Sequence, residues 1–207
     1  MTQVNSSHLT HRQRQALATR QLIIDAATTL FLERGYVATT IDTIAQHAGV
    51  AVSTVYNTFG NKSGILAGIR AAWVVESGVN ELYHQADQER DFNRRLQLAA
   101  HTTRRVWETS ARMMAVHTTA AGADPDAAAE WQVALNGRRT TLARIYQAWA
   151  SEFGGDPERT AAIAIALTGP EMYLELVTVW HWTPDQYEDW LAQLLQQQLL
   201  GASMFPK

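Results

Sequence analysis

Apolar residues return at helical spacing along nearly the whole chain. Leu22, Ile23, Ala26, Leu30 and Phe31 line one face of a first helix, and Gly35 is the residue expected to close it. Thr39-x-x-Asp42 has the capping-box pattern for a short second helix, which Gly49 ends. A third short helix is predicted from about Val52 to Thr58. Gly60-Asn61 breaks it, and Asn61 caps a long fourth helix reaching about Ala86. Past the charged stretch 87–91, two helical segments carry Leu96, Trp107, Met113 and Met114. The turn 121–126 sets Pro125 at the start of a helix that runs to about Phe153, with Gly137 as a point of interruption. After a break at 154–157, the segment Glu158 to Trp182 is apolar almost all round. Gly169-Pro170 is expected to bend it, because proline removes a backbone hydrogen bond. The last helix gathers Tyr187, Trp190, Leu191, Leu194, Leu195 and Leu199 on one stripe. No strand-like alternation, repeat or low-complexity tract interrupts this pattern. The fold class is all-α.

Composition narrows the function. Of 207 residues, 46% are hydrophobic, enough for a continuous core. There is no cysteine, which excludes disulfides, thiolate metal sites and a cysteine nucleophile. No run approaches the roughly 18 consecutive apolar residues of a membrane span, and the first 15 residues lack the apolar core of a secretion signal. A cytoplasmic protein without a membrane partner is the expectation. The net charge of -3 is unevenly spread. Through Lys62 there are five basic and three acidic residues, against 12 and 17 in the remainder, a bias that hints at a nucleic-acid-facing end.

The stretch 39–62 sharpens that hint. Two short helices joined at a glycine and preceded by a longer helix describe a helix-turn-helix. Ile44, Ala45, Val50 and Val55 can lock the pair to the first helix, leaving the other face of the third helix for the DNA major groove. Hydroxyls, an asparagine amide and Lys62 at the rim suit phosphate oxygens, which position a protein without reading sequence. The dipole at the start of the second helix, by Thr40, also suits an anion.

From about Thr19 to Ile69 the chain resembles the DNA-binding domain of the TetR family of bacterial transcriptional regulators. The resemblance rests on Ala27/Leu30/Phe31, Gly35-Tyr36, Thr39-Thr40, Ile44-Ala45, Ala48-Gly49-Val50, Thr54-Val55-Tyr56-x-x-Phe59 and Lys62, in order and at the family's spacing. It implies phosphate contacts from Thr40, Thr54, Tyr56 and Lys62, base reading by Val52, Ser53 and Thr58, and either role for Asn57. The chain departs from the family where it has Ala51 and Ser53 instead of Ser just after Ala-Gly-Val and Gly before the threonine. The lost cap costs about 1 kcal/mol. Arg12, Arg14 and Arg20 offer a basic arm, with a frayed terminus as the alternative. The expected domain order is a flexible basic arm at 1–17, the DNA-binding domain at 18–75 with its helix-turn-helix at about 41–60, and, by the resemblance, a ligand-binding and dimerisation domain at 76–207, about nine helices in all.

For that larger part the expected partners are a small-molecule effector, largely apolar or aromatic, and a second copy of the chain; double-stranded operator DNA is the third partner. Trp107, His117, Trp131 and Tyr173 are the pocket candidates, since such sites are mostly apolar with a few polar anchors. Leu167, Leu174, Trp190, Leu191, Leu194 and Leu195 are the candidates for the homodimer interface. No cofactor, metal or catalytic residue is expected. Glu81-x-x-His84 has the spacing of a di-iron bundle ligand pair, but that chemistry needs a second pair, and the sequence has none. The function expected is a small-molecule-responsive repressor acting as a homodimer on a pseudo-palindromic operator, in the bacterial cytoplasm and on the nucleoid when DNA-bound. The alternatives are a ligand-independent DNA-binding regulator and, more remotely, a helical-bundle enzyme.

Overall fold

Thr10 opens the first helix by a reciprocal cap. Its hydroxyl accepts the Gln13 amide, and the Gln13 side chain accepts the Thr10 amide in return. The computed structural model describes residues 10–153 and 155–200, and among these every regular element is helical. Helix α1 (His11–Ala38) carries Ile23, Ile24, Ala26, Ala27, Leu30 and Phe31 into the core and leaves helical geometry at Gly35. Residues 11–17 are thus the exposed start of a helix rather than a flexible arm; residues 1–9 of that arm lie outside the described residues.

Helices α2 (Ile41–Ala48), α3 (Val52–Phe59) and α4 (Lys62–Glu76) follow. Asn61 caps α4 as expected, its Oδ1 accepting the Gly64 amide at 2.8 Å. Two glycines on α4 let the end of α3 approach closely. A Cβ at Gly64 would sit 2.1 Å from the Phe59 carbonyl oxygen, and one at Gly68 would meet the Phe59 ring at 2.6 Å. The same ring carries the Arg20 guanidinium on its other contact, 4.4 Å from the centroid.

The long fourth helix of the sequence reading divides in two. The chain leaves helical geometry at Gly78 and restarts as α5 (Val79–Gln88). Conversely, the two segments expected next are one helix, α6 (Phe92–Ala123), and α7 (Pro125–Phe153) runs through Gly137 unbroken. Helix α8 (Pro157–Leu167) is capped by Asp156 and does not bend at Gly169-Pro170 but stops. Gly169 is extended, and Pro170 begins a new short helix α9 (Pro170–Tyr173) that continues as a π-helix (Leu174–Val179). Proline is tolerated at a first helical position because its missing N–H would be unpaired there anyway. Helix α10 (Pro184–Leu200) completes the described chain.

The chain divides into two compact units. One holds residues up to Ala71 together with Ala115–Trp131; the other holds Ala72–Met114 and Gln132 onward. The first therefore gains 115–131, which a division at residue 75 had assigned to the carboxy-terminal domain. The second unit is built on Leu96, Trp107, Leu142, Tyr146, Trp149, Tyr187, Leu191 and Leu195, all buried.

Candidate nucleic-acid interface

The two threonines before α2 do different work. The sequence reading had Thr39 as the cap, but its hydroxyl is buried and donates to the carbonyls of Gly35 at 2.8 Å and Leu30 at 3.3 Å. Thr40 caps instead: its hydroxyl accepts the Thr43 amide, and Thr43 returns a bond to the Thr40 amide. Helix α2 ends at Gly49, whose φ of 68° is left-handed and favours glycine. The Val50 amide reaches back to the Ala45 carbonyl at 3.0 Å, closing the helix end. This turn sets the direction in which α3 leaves.

Helix α3 buries one side chain, Val55. Ser53, Tyr56 and Asn57 are exposed and share one helical face, Tyr56 with 51% of its surface open. Val52, Thr54 and Thr58 are half-buried, and the Thr58 hydroxyl donates to the Thr54 carbonyl at 2.7 Å. No side chain caps α3 at Ala51. Its first amides therefore keep their positive end open to an acceptor from outside. Thr40 also stays exposed while its cap bond is made.

Lys62 is different. Its ammonium donates to the carbonyls of Tyr36 at 2.8 Å and Thr39 at 3.0 Å and lies 4.1 Å from the centroid of the Tyr36 ring. Burial lowers its pKa, and the charge of Asp124 partly offsets the effect. The expectation of an outward phosphate contact is therefore corrected: Lys62 clamps the end of α1 against the start of α4. The clamp is extended by two acids of the turn 121–126. Tyr36 donates its hydroxyl to Asp124 at 2.5 Å, and Asn61 donates its amide to Asp126 at 3.0 Å. Burial, then the Asp124 bond, raises the Tyr36 pKa, and the same bond holds the Asp124 carboxyl below its ordinary range.

A polar face on an uncapped helix that leaves a glycine turn is the arrangement expected of a helix-turn-helix. Comparison with known proteins agrees. Residues 23–69 match the family model of the bacterial regulatory proteins of the tetR family. A stretch of 47 residues is 51% identical to the HTH-type transcriptional regulator HbdR of Aromatoleum sp. (strain CIB); it covers 23% of this chain and spans a fifth (20%) of that relative's length. Residues 23–69 thus carry a TetR-family DNA-binding domain.

The fold of the whole chain follows the same pattern. A candidate transcriptional regulator from Pseudomonas aeruginosa PAO1 superposes with a TM-score of 0.71 at 20% identity, over 96% of each chain. The regulator FadR from Bacillus subtilis, solved with stearoyl-CoA, superposes at 0.66 and 19% identity, over 84% of this chain and 96% of its own.

The four pocket candidates fall into two groups. His117 and Trp131 belong to the first unit, where their rings stack 4.9 Å apart. His117 is 5% exposed. Burial and the nearby Arg70 charge push its pKa down to about 4, with Glu130, which pairs with Arg70, acting the other way. Trp107 and Tyr173 belong to the second unit and are buried in its core. Trp107 donates its indole N–H to the Thr168 carbonyl at 3.0 Å, and Tyr173 meets Tyr187 edge-on at 5.0 Å.

The interface candidates divide as well. Leu191 and Leu195 are 0% exposed within the single chain, so they have no surface left to bury against a partner. They are core residues, a correction that follows from their packing in the second unit. Leu167, Leu174, Trp190 and Leu194 keep part of their surface open. Glu81 and His84 are both exposed, and among the described residues no group of three or more His, Asp or Glu is placed to hold a metal ion.

One residue in the second unit was missed. Arg138 lies at helical spacing from Leu142, Tyr146 and Trp149, all buried. A charge on an otherwise apolar stripe was the signal available in the sequence.

Proposed function

We propose that this protein is a TetR-family transcriptional regulator that binds a pseudo-palindromic operator as a homodimer and is released by a small molecule, acting as a repressor. The observation that carries the reading is the exposed face of α3, Ser53, Tyr56 and Asn57, beside an uncapped helix start. Hydroxyl and amide groups there suit base edges and phosphates, while Val52 offers an apolar contact to a thymine methyl. The apolar segment Pro157–Val179 supports the dimer. It has membrane-span length and a mean hydropathy of 1.4, yet only 22% of its apolar window is buried. The helix break at Gly169 would leave backbone groups unpaired in lipid, so a protein partner is the better cover. Leu167, Leu174 and the exposed Val179 and Trp180 offer the area. The stearoyl-CoA complex of FadR supports a ligand-responsive second unit, and release then follows from the effector's preference for the conformation that fits the operator poorly. No specific observation favours the enzymatic alternative.

A randomised-site binding selection tests the reading. Tyr56→Phe should weaken operator binding by roughly 1 kcal/mol through a lost phosphate bond and leave the preferred sequence unchanged. Val52→Ala should alter the preference. Parent-like selection by both variants would remove α3 as the reading helix.

A further inference from the structure

Three arginines whose side chains are largely shielded from solvent each hold a carboxylate: Arg70 pairs with Glu130, Arg95 with Glu152, and Arg104 with Glu108, Asp185 and Glu188. Arg138 does not. Its Nη2 donates to the Thr168 carbonyl at 2.7 Å and approaches the Thr168 hydroxyl at 3.4 Å, and its guanidinium lies over the Trp107 ring at 5.1 Å. Among the described residues no carboxylate comes within ion-pair distance of it; the acid whose charge acts on it, Glu171, is exposed. Three tyrosines, Tyr83, Tyr146 and Tyr187, are close enough to feel its charge. Tyr187 is fully buried, and its hydroxyl has no hydrogen-bond partner.

The Tyr187 hydroxyl runs against the usual rule that buried polar groups are paired, and the half-buried Arg138 carries its charge without an acid at ion-pair distance among the described residues. Arginine cannot escape by losing its proton, and an uncompensated charge among aromatic rings is costly. Its Nε and Nη1 make no bond within the described chain, and a carboxylate can take either of them together with Nη2, which both two-bond edges of a guanidinium share. The side chain keeps part of its surface open, which gives an anion its route.

We propose that Arg138 and Tyr187 form an anion anchor in the second unit, and that the effector is a small aromatic or aliphatic carboxylate. This rests on the ligand-responsive reading above and names the ligand class for it. A carboxylate on Arg138 competes with the Thr168 carbonyl, and Thr168 closes α8 just before the extended Gly169. Binding is thus felt at the α8–α9 break, within the apolar segment proposed for the dimer.

The test is calorimetric titration of the full chain, without DNA, using 4-phenylbutyrate and decanoate beside their neutral amides. At least one acid should bind about tenfold or more tightly than its amide, the range expected for a charge-assisted pair. Arg138→Gln should abolish that discrimination and leave amide affinity as it was, Arg138→Lys should keep part of it, and Tyr187→Phe should weaken the acid a few-fold. Equal affinity for acid and amide, parental acid affinity in Arg138→Gln, or no binding by either pair overturns the anchor. If Arg138→Gln does not fold, the acid–amide comparison in the parent and Arg138→Lys decides. Repeating the titration with operator DNA separates the two claims. Acid binding that leaves operator affinity unchanged removes the ligand response and keeps the anchor. Operator binding without acid–amide discrimination removes the anchor and keeps the DNA reading.

Discussion

Lys62 and His117 in the first unit and Arg138 in the second are shielded basic groups handled in opposite ways. In the first, Lys62 sets its ammonium on two carbonyls and a tyrosine ring with Asp124 acting on it, and His117, stacked on Trp131, is held neutral by burial. One group is paired, and the other gives up its charge. In the second unit, Arg138 has a ring and one carbonyl, no carboxylate, and a proton it keeps. The contrast separates structure from function. A buried charge whose partners all come from its own chain holds the fold together, whereas one left partly unpaired is disposed to take a partner from outside.

His117 offers the largest effect on this contrast. The unfolded chain binds the imidazole proton near the ordinary 6.5 and the folded chain only at about 4. The folded state therefore keeps its full stability above about pH 6.5 and loses it as pH falls from there toward 4, by on the order of 3 kcal/mol. Urea denaturation across that window should show the loss in the parent and a much flatter profile in His117→Phe. An unchanged slope in the variant would mean that His117 is not held neutral.

The pair Lys62→Met and Arg138→Leu comes next in size. Removing Lys62 strips a donor from two carbonyls and should cost roughly 2 kcal/mol. Replacing Arg138 by an apolar side chain should leave stability unchanged or raise it, because the desolvated charge goes as well. Thermal unfolding compares the two directly, and equal losses would erase the distinction between clamp and anchor. Salt titration of operator binding adds a second reading of Lys62. As a clamp it leaves the dependence of log K on log salt unchanged in Lys62→Met, whereas a phosphate contact would reduce that slope by about one.

The smallest effect concerns the acids behind the clamp. Tyr36→Phe removes the hydroxyl bond to Asp124 and should cost about 1 kcal/mol at neutral pH. Because that bond lowers the Asp124 pKa, its contribution is present above the ordinary carboxylate range and lost as pH falls through the depressed value. Parent and variant should therefore converge in acid. A constant gap down to pH 2 would assign the loss to packing instead.

The local devices were legible in the amino-acid sequence, because each depends on residues three to five positions apart. The Gly49 turn, the Asn61 cap, the missing cap at Ala51 and the polar face of α3 were all expected, and the helix-turn-helix with its family likeness came from them. The shift of the second cap from Thr39 to Thr40 shows where that legibility stops. Either threonine offers a capping hydroxyl, and the choice was made by the break in α1 at Gly35, which turns the carbonyls of Gly35 and Leu30 toward the Thr39 hydroxyl.

Tertiary structure decided the rest. Leu191 and Leu195 share a stripe with Trp190 and Leu194, and only the helices packed against α10 determine which pair lies inside the chain and which is left for a partner. Lys62 turned inward because Tyr36 and Thr39, more than 20 residues earlier, present two carbonyls and a ring to it. Asp124, 88 residues from Tyr36, became part of the same clamp. Arg138 falls on a buried stripe in the sequence, but its lack of an acid can be seen only once every neighbouring helix is in place. Helix periodicity and capping are set within one or two turns of chain, whereas burial and charge pairing are set by segments that meet only on folding.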